Sequence, residues 1–116
     1  MWVIDGYSLS THPDLCERLE RLNDAAGKPA TFGYRFGRPV LEAGGAIVAF
    51  AAGTHIMCVR VPRADVDPRL LVQGDPDLGR EWTRVDPWSV DVPRAKGHDL
   101  LATLIRRAVD DVVSAT

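Results

Sequence analysis

The chain has 116 residues, of which 46% are hydrophobic and 26% are charged. These values are typical of globular proteins and exclude a disordered chain, and the length suits a single domain spanning residues 1–116. The formal net charge is −2, from 14 basic and 16 acidic side chains. General nucleic-acid binding depends on a basic excess and is therefore disfavoured, although a local basic patch is compatible with this balance.

The opening segment has neither the basic region nor the apolar run of a signal peptide. Elsewhere no stretch approaches the ~20 uninterrupted apolar residues that a membrane span requires. The two cysteines, Cys16 and Cys58, both lie within apolar patterns and are expected to be free buried thiols. We therefore expect a soluble cytoplasmic protein that makes no contact with a membrane.

The first predicted element is a helix over residues 13–25. Thr11 is a suitable cap, Pro13 suits the first turn, and Asp14 complements the positive end of the helix dipole. An ion pair is expected between Glu17 and Arg21, which are four residues apart. The buried stripe of this helix is expected to consist of Leu15, Leu19 and Leu22.

A meander of strands follows the helix. Alternating aromatic residues over 31–36 predict a short edge strand or extended loop. Three strands are then predicted at 39–43, 46–52 and 55–61, separated by turns at Gly44-Gly45 and Gly53-Thr54. The middle strand is apolar on both faces, with Ile47, Ala49 and Ala51 opposite Val48 and Phe50, so it is expected to be central and covered on both sides.

The remaining pattern completes an α+β fold. Asp67 is expected to cap a short helical turn, and residues 73–79 are expected to form a loop. A strand is predicted at 81–86, and Pro87 and Pro93 favour an edge position for it. The closing segment has the wide apolar stripe of an amphipathic helix, from Leu100 to Val113. The sequence thus predicts a largely antiparallel sheet with an N-terminal and a C-terminal amphipathic helix packed on it.

The segment Gly79-x-x-Trp82-x-Arg84-Val85, with the helix that follows it, resembles the MmcQ/YjbR-like domains, which are small bacterial α+β proteins. The order of elements over most of the chain is also similar to theirs. The resemblance implies a binding domain, often described as DNA-binding, and it implies no catalytic residue.

Sites for metal ions, cofactors and nucleophilic catalysis find little support in the residue pattern. His55 and Cys58 are three residues apart on a predicted strand, so they would point to opposite faces and could neither share a metal ion nor act as a thiol–base pair. Asp75 and Asp77 are too few for a calcium loop. Neither a Gly-x-Ser-x-Gly elbow nor a glycine-rich phosphate loop is present. We expect no cofactor, no metal and no enzymatic activity.

The best candidate site is a group of arginine and tryptophan side chains in loops and edge strands, which we call the Arg/Trp surface. Arginine binds carboxylate or phosphate, and tryptophan stacks on flat groups, so the ligand would be an anion, a nucleic acid or a partner protein. A purely structural role is the alternative for these side chains. A homodimeric interaction module and a small enzyme without a recognisable motif are the alternatives for the protein. The surface consists of Arg35, Arg38, Arg80, Trp82, Arg84, Trp88 and Arg94.

Overall fold

The computed structural model describes residues 2–4, 7–9, 11–72 and 79–114. It confirms the predicted α+β class. Two 3-10 turns, Arg63–Asp65 and Pro68–Leu70, lie between the sixth and seventh strands. Asp67 caps the second of these turns, as predicted. The helices and strands are β1 (Trp2–Ile4), β2 (Tyr7–Leu9), α1 (Pro13–Ala25), β3 (Thr31–Arg35), β4 (Arg38–Ala43), β5 (Ala46–Ala52), β6 (Ile56–Val59), β7 (Thr83–Val85) and α2 (Arg94–Ser114).

Helix α1 has the predicted bounds but a different cap. The cap is His12, whose Nδ1 accepts a hydrogen bond from the backbone N–H of Asp14 at 3.1 Å. The expectation that Thr11 caps the helix is wrong. Thr11 is buried and donates its hydroxyl to the carbonyl of Ala51 at 2.9 Å, so this side chain joins the helix entry to the sheet instead.

The main sheet has five antiparallel strands in the order β3-β4-β5-β6-β7. The predicted meander is therefore confirmed, and β3 and β7 occupy the two edges as expected. Strand β6 is shorter than the predicted 55–61, because His55 belongs to the preceding turn and Arg60 and Val61 lie beyond its end. Strands β1 and β2, which the sequence analysis did not predict, pair separately as a two-stranded sheet. The loop prediction for 73–79 falls mostly on residues 73–78, which lie outside the described residues.

A β-bulge decides which side chains of β5 face the core. Leu41 pairs with Ala49, but the next residue of β4 pairs with Ile47, so Val48 is an extra residue in β5. In a bulge two successive side chains turn to the same side. Val48 and Ala49 are accordingly both fully buried in the core. The expectation that Val48 shares a face with Phe50 is wrong for this reason.

Both helices cover the same face of the sheet. Their buried residues, such as Leu19 of α1 and Ile105 of α2, form one cluster with Ala49, Met57 and Val85 from the strands. The opposite face, which we call the outer face, carries a row of paired residues across four strands. These four lie outside that cluster, so neither helix covers β5 on this side, although Val40 and Cys58 are buried there. The row consists of Val40, Phe50, Cys58 and Arg84.

Helix α2 is the longest element and has its apolar stripe against the sheet, as predicted. Leu101, Ile105 and Ala108 are almost completely buried on that stripe. Burial of a leucine or isoleucine side chain is worth roughly 1.5–3 kcal/mol, so Leu101 and Ile105 contribute substantially to the stability of the core. Among the described residues, no helix combines the length and apolar character needed to cross a membrane.

Candidate functional site

The structure divides the Arg/Trp surface between two places. Arg38, Trp82 and Arg84 lie on or beside the outer face of the sheet, near Phe50. Trp88 and Arg94 instead line a cleft between the two helices and the loop that follows β7. These residues were grouped as one surface because they share residue types and were predicted to lie in loops or edge strands. The fold separates them because β7 runs from one group to the other.

On the outer face, arginines and aromatic rings alternate over a flat sheet. The guanidinium of Arg38 lies 6.0 Å from the ring centroid of Phe50. The rings of Phe50 and Trp82 are 5.5 Å apart and tilted by 55°. Beneath them, burial raises the pKa of the Cys58 thiol, and the nearby Arg84 and Arg38 cations oppose that shift. Cys58 is thus a protected thiol, and the exposed chemistry of this face is cationic and aromatic.

The two remaining members of the Arg/Trp surface contribute less to a site. Arg35 forms an ion pair with Glu42, with Nε 2.6 Å from Oε1, and this hydrogen bond raises the pKa of the Arg35 guanidinium. An arginine already engaged by a carboxylate offers less to an anionic ligand. Arg80 is exposed in the turn that precedes β7. Neither residue lines the cleft.

The cleft, which we call the Arg18 cleft, encloses about 410 Å³ between α1, the loop after β7 and the start of α2. Its floor is apolar and is shared with the core, through Leu70, Val92 and Leu101. Its rim is polar and carries both positive and negative side chains. The rim residues that matter for the site are Arg18, Asp86, Trp88, Ser89 and Arg94.

Arg18 is the central side chain of this cleft. Its guanidinium lies 5.4 Å from the ring centroid of Trp88, in a cation–π contact. Nη2 donates to the Pro87 carbonyl at 3.3 Å, and Nη1 lies 2.7 Å from Nδ1 of His98. Nε is buried without a hydrogen-bond partner. Burial and the neighbouring Arg94 cation lower the pKa of the Arg18 guanidinium, although arginine stays charged at neutral pH.

The loop after β7 is fixed by hydrogen bonds that hold Trp88 in place. The indole Nε1 of Trp88 donates to the carbonyl of Thr54 at 3.0 Å, and its backbone N–H donates to Asp86 Oδ1 at 2.8 Å. The hydroxyl of Ser89 donates to the carbonyl of Arg69 at 2.7 Å. The Asp86 carboxylate is therefore already engaged within the protein, and the Trp88 side chain is held at one wall of the cleft.

The first turn of α2 adds positive charge at the other side of the cleft. It contains Arg94 and Lys96 and no acidic residue. Cations at the positive end of a helix dipole are unfavourable for the helix, typically by 0.3–1 kcal/mol each. Among the described residues no hydrogen bond or ion pair engages the Arg94 side chain. Arg94 lines the cleft and thus adds a positive charge to its rim.

Arg18 is not among the predicted site residues, although its position in the sequence indicates that its side chain is partly buried. Residue 18 lies three positions after Leu15 and four before Leu22, so it falls on the buried stripe of α1. An arginine on a buried stripe must find polar partners within the fold or line a cavity. The contact of Arg18 with His98 joins residues that are distant in the chain, so the sequence pattern does not indicate it.

The structure places the other chemically reactive side chains apart from one another. His55 is exposed in a turn, where its Nδ1 lies 3.0 Å from the Thr54 hydroxyl oxygen. Cys16 and Cys58 are free and buried. In the part of the chain that the structure describes, no group of three His, Cys, Asp or Glu residues could hold a metal ion. Asp75 and Asp77, considered above as calcium ligands, lie outside the described residues.

Comparison of the chain with protein-family models, with curated proteins and with solved structures gives no match.

Proposed function

We propose that the protein is a small-ligand-binding domain whose Arg18 cleft takes an organic anion. The ligand class is a carboxylate or phosphate joined to a flat or apolar body. The single observation that carries this proposal is the state of Arg18. Among the described residues its half-buried guanidinium has no carboxylate partner, and its Nε is unpaired. A half-buried cation without a carboxylate partner is stabilised by a ligand that supplies the missing negative charge.

The shape and lining of the cleft support an organic anion rather than a bare ion. A volume of about 410 Å³ falls within the range of small-molecule sites, which are mostly apolar with a few polar groups. Arg18 and Arg94 would bind the charged group. Leu70 and Leu101 would contact an apolar body, and the partly exposed ring of Trp88 would stack on a flat one.

The hydrogen bonds around the cleft favour binding over catalysis. Ser89, the hydroxyl residue of the rim, donates to a backbone carbonyl and has no neighbouring base among the described residues. His98 is engaged with Arg18. A non-catalytic binding domain is also what the resemblance to the MmcQ/YjbR-like domains implies, and membership of that family is part of this proposal.

The outer face supports a second candidate function, the binding of single-stranded nucleic acid. Arg38, Phe50 and Trp82 bring cationic and aromatic groups together on the outer face, where Arg38 is exposed and the two rings are partly exposed. Bases stack on such rings and phosphates bind such arginines. The nearby Glu42 and Glu81 carboxylates pair with arginines and reduce the positive charge, so this face is the weaker candidate.

The proposal is tested by comparing benzoate with benzamide, which has the same flat body and no charge. Binding is measured by titration calorimetry on the full chain. We expect benzoate to bind at least about tenfold more tightly than benzamide. Arg18→Gln and Arg94→Gln should each weaken benzoate binding, and Arg18→Gln by about 10- to 100-fold, as expected for a lost charge-assisted hydrogen bond of about 1.5–3 kcal/mol.

Arg38→Gln is the matched control, because it removes the same charge from the outer face. Its benzoate affinity should stay within about twofold of the natural chain. Equal losses in Arg18→Gln and Arg38→Gln would assign the effect to net charge and would overturn the cleft as the site. Arg94 is exposed and holds no internal hydrogen bond among the described residues, so Arg94→Gln gives a result even if Arg18→Gln folds poorly.

A further inference from the structure

The contact between Arg18 and His98 constrains the protonation state of the imidazole. Nη1 of Arg18 lies 2.7 Å from Nδ1 of His98. Arginine can only donate hydrogen bonds, so Nδ1 must accept, and the single imidazole proton must be on Nε2. The hydrogen bond between these residues therefore exists only while His98 is neutral. His98 itself does not line the cleft; it lies behind Arg18 and positions it.

The charges that face His98 are mostly positive. Arg18 and Arg21 approach it from α1, and Arg94 lies one turn earlier on α2. Asp99, the next residue on α2, is the negative charge that opposes them. Burial and the Arg18 cation lower the pKa of His98 below its ordinary value of 6.5. At neutral pH the imidazole is thus the acceptor that the geometry requires.

Protonation of His98 would change the cleft in two ways. Nδ1 would lose its lone pair, so the hydrogen bond from Arg18 would break. The imidazolium would also place a second positive charge directly behind the guanidinium, at a distance where like charges repel strongly. An anion bound at Arg18 would offset this repulsion. Without a bound anion, the protonated form of His98 is disfavoured. An anion bound at Arg18 stabilises that form.

We propose that His98 couples anion binding in the Arg18 cleft to the uptake of one proton, so that affinity for the anion rises as the pH falls. This inference rests on the proposed anion-binding function. Linkage is reciprocal, so an anion that binds better to the protonated state must also raise the pKa of His98. Affinity should be constant well above that pKa, increase through it, and level off once His98 is protonated in the free protein.

Benzenesulfonate is a suitable probe, because it joins a flat ring to a sulfonate whose charge does not change between pH 5 and pH 7.5. The experiment measures the dissociation constant of benzenesulfonate by calorimetry across this range, at matched ionic strength with sodium chloride. It also follows the imidazole of His98 by NMR with and without benzenesulfonate. We expect affinity to rise by about fivefold from pH 7.5 to pH 5 and the midpoint of the His98 titration to move upward with benzenesulfonate.

His98→Gln separates coupling from a merely structural role. Glutamine keeps an oxygen that can accept from Arg18 but cannot be protonated in this range. If coupling operates, this variant loses the pH dependence, whatever its absolute affinity is. A purely structural role would lower the affinity of the variant by the same factor at every pH and keep the slope. His55→Gln, outside the cleft, is the control and should retain the full pH profile.

The possible results distinguish this inference from the function on which it rests. If benzenesulfonate binds and Arg18→Gln weakens its binding, but the pH profile is flat or survives in His98→Gln, only the coupling is overturned. If benzenesulfonate does not bind at any pH, or binds equally well to Arg18→Gln, the anion site itself is overturned as well. A pH-dependent affinity that His98→Gln abolishes supports both.

Discussion

The outer face and the Arg18 cleft contain the same kinds of side chain but differ in how the fold presents them. On the outer face, Arg38 and Phe50 come from strands and Trp82 lies just before β7, and the three lie side by side on one face of the sheet. In the cleft, Arg18 and Trp88 come from a helix and a loop, and a third element encloses the space between them. Composition alone does not make a binding site. A concave arrangement gives a ligand contacts on several sides and excludes water from the charges.

The pairing of the arginines follows this division only in part. On the sheet, Arg35 pairs with Glu42 at 2.6 Å, which leaves this cation little charge available. Arg84, also on the outer face, has a buried Nε without a hydrogen-bond partner among the described residues, as Arg18 does. Arg18 has an imidazole, a carbonyl and an indole ring as neighbours, none of which neutralises it. The comparison predicts that variants in the two regions will behave differently.

The largest difference should appear in stability, because the cleft floor belongs to the core and the outer face does not. Leu101 lines the cleft and is 1% exposed. Leu101→Ala should lower the free energy of unfolding by about 2–5 kcal/mol through lost burial and the remaining cavity. Phe50→Ala, on the partly exposed outer face, should cost less, about 1–2 kcal/mol. Urea denaturation measures both. Equal losses would show that the outer face is packed as tightly as the core.

A smaller effect is expected at Gly97, where the first turn of α2 approaches the loop after β7. A Cβ added at Gly97 would lie 2.9 Å from Cγ2 of Val92, which also lines the cleft. Valine is stiff at χ1, so the loop must move. Gly97→Ala should therefore weaken benzoate binding by about fivefold, which corresponds to about 1 kcal/mol. Alanine also has a higher helix propensity than glycine, by up to about 1 kcal/mol. This gain should offset most of the stability that the clash with Val92 costs.

Gly33→Ala is the control for this effect. Gly33 lies in edge strand β3, and a Cβ there would meet nothing within 4 Å. The benzoate affinity of the Gly33→Ala variant should equal that of the natural chain. If Gly97→Ala bound benzoate as well as the natural chain does, the position of the loop would not determine the shape of the cleft.

The fold could be predicted well from sequence because its determinants are local. The bounds of α1 follow from a proline, a leucine stripe and a glycine, and the meander follows from glycine turns. The bulge at Val48 could not be predicted in this way, because it depends on how β5 pairs with β4. The cap on α1 was missed for a similar reason, since the hydroxyl of Thr11 is used by a contact with Ala51, far along the chain.

The candidate site was predicted only in part. Trp88 and Arg94 were identified from their residue types, and both line the cleft. Arg18 and His98 were not, because their contact joins two helices that are distant in the chain. The residue types along one segment of sequence identify side chains that belong to the same loop. They cannot show which helix closes the cleft from the other side, because tertiary packing decides that.

The smallest expected effect concerns the turn between β3 and β4, at the edge of the outer face. Phe36 has a φ of +54° and Gly37 a φ of +75°, as in a type I′ hairpin turn, where the first position favours asparagine. Phe36 is also 97% exposed, so its ring gains almost nothing from burial. Phe36→Asn should therefore raise the free energy of unfolding by about 0.5–1 kcal/mol by relieving the left-handed backbone of a bulky residue. Thermal denaturation and benzoate titration together sharpen the comparison. A more stable variant with unchanged benzoate affinity is expected if ligand binding belongs to the cleft, whereas a loss of benzoate affinity would mean that the outer edge takes part in it.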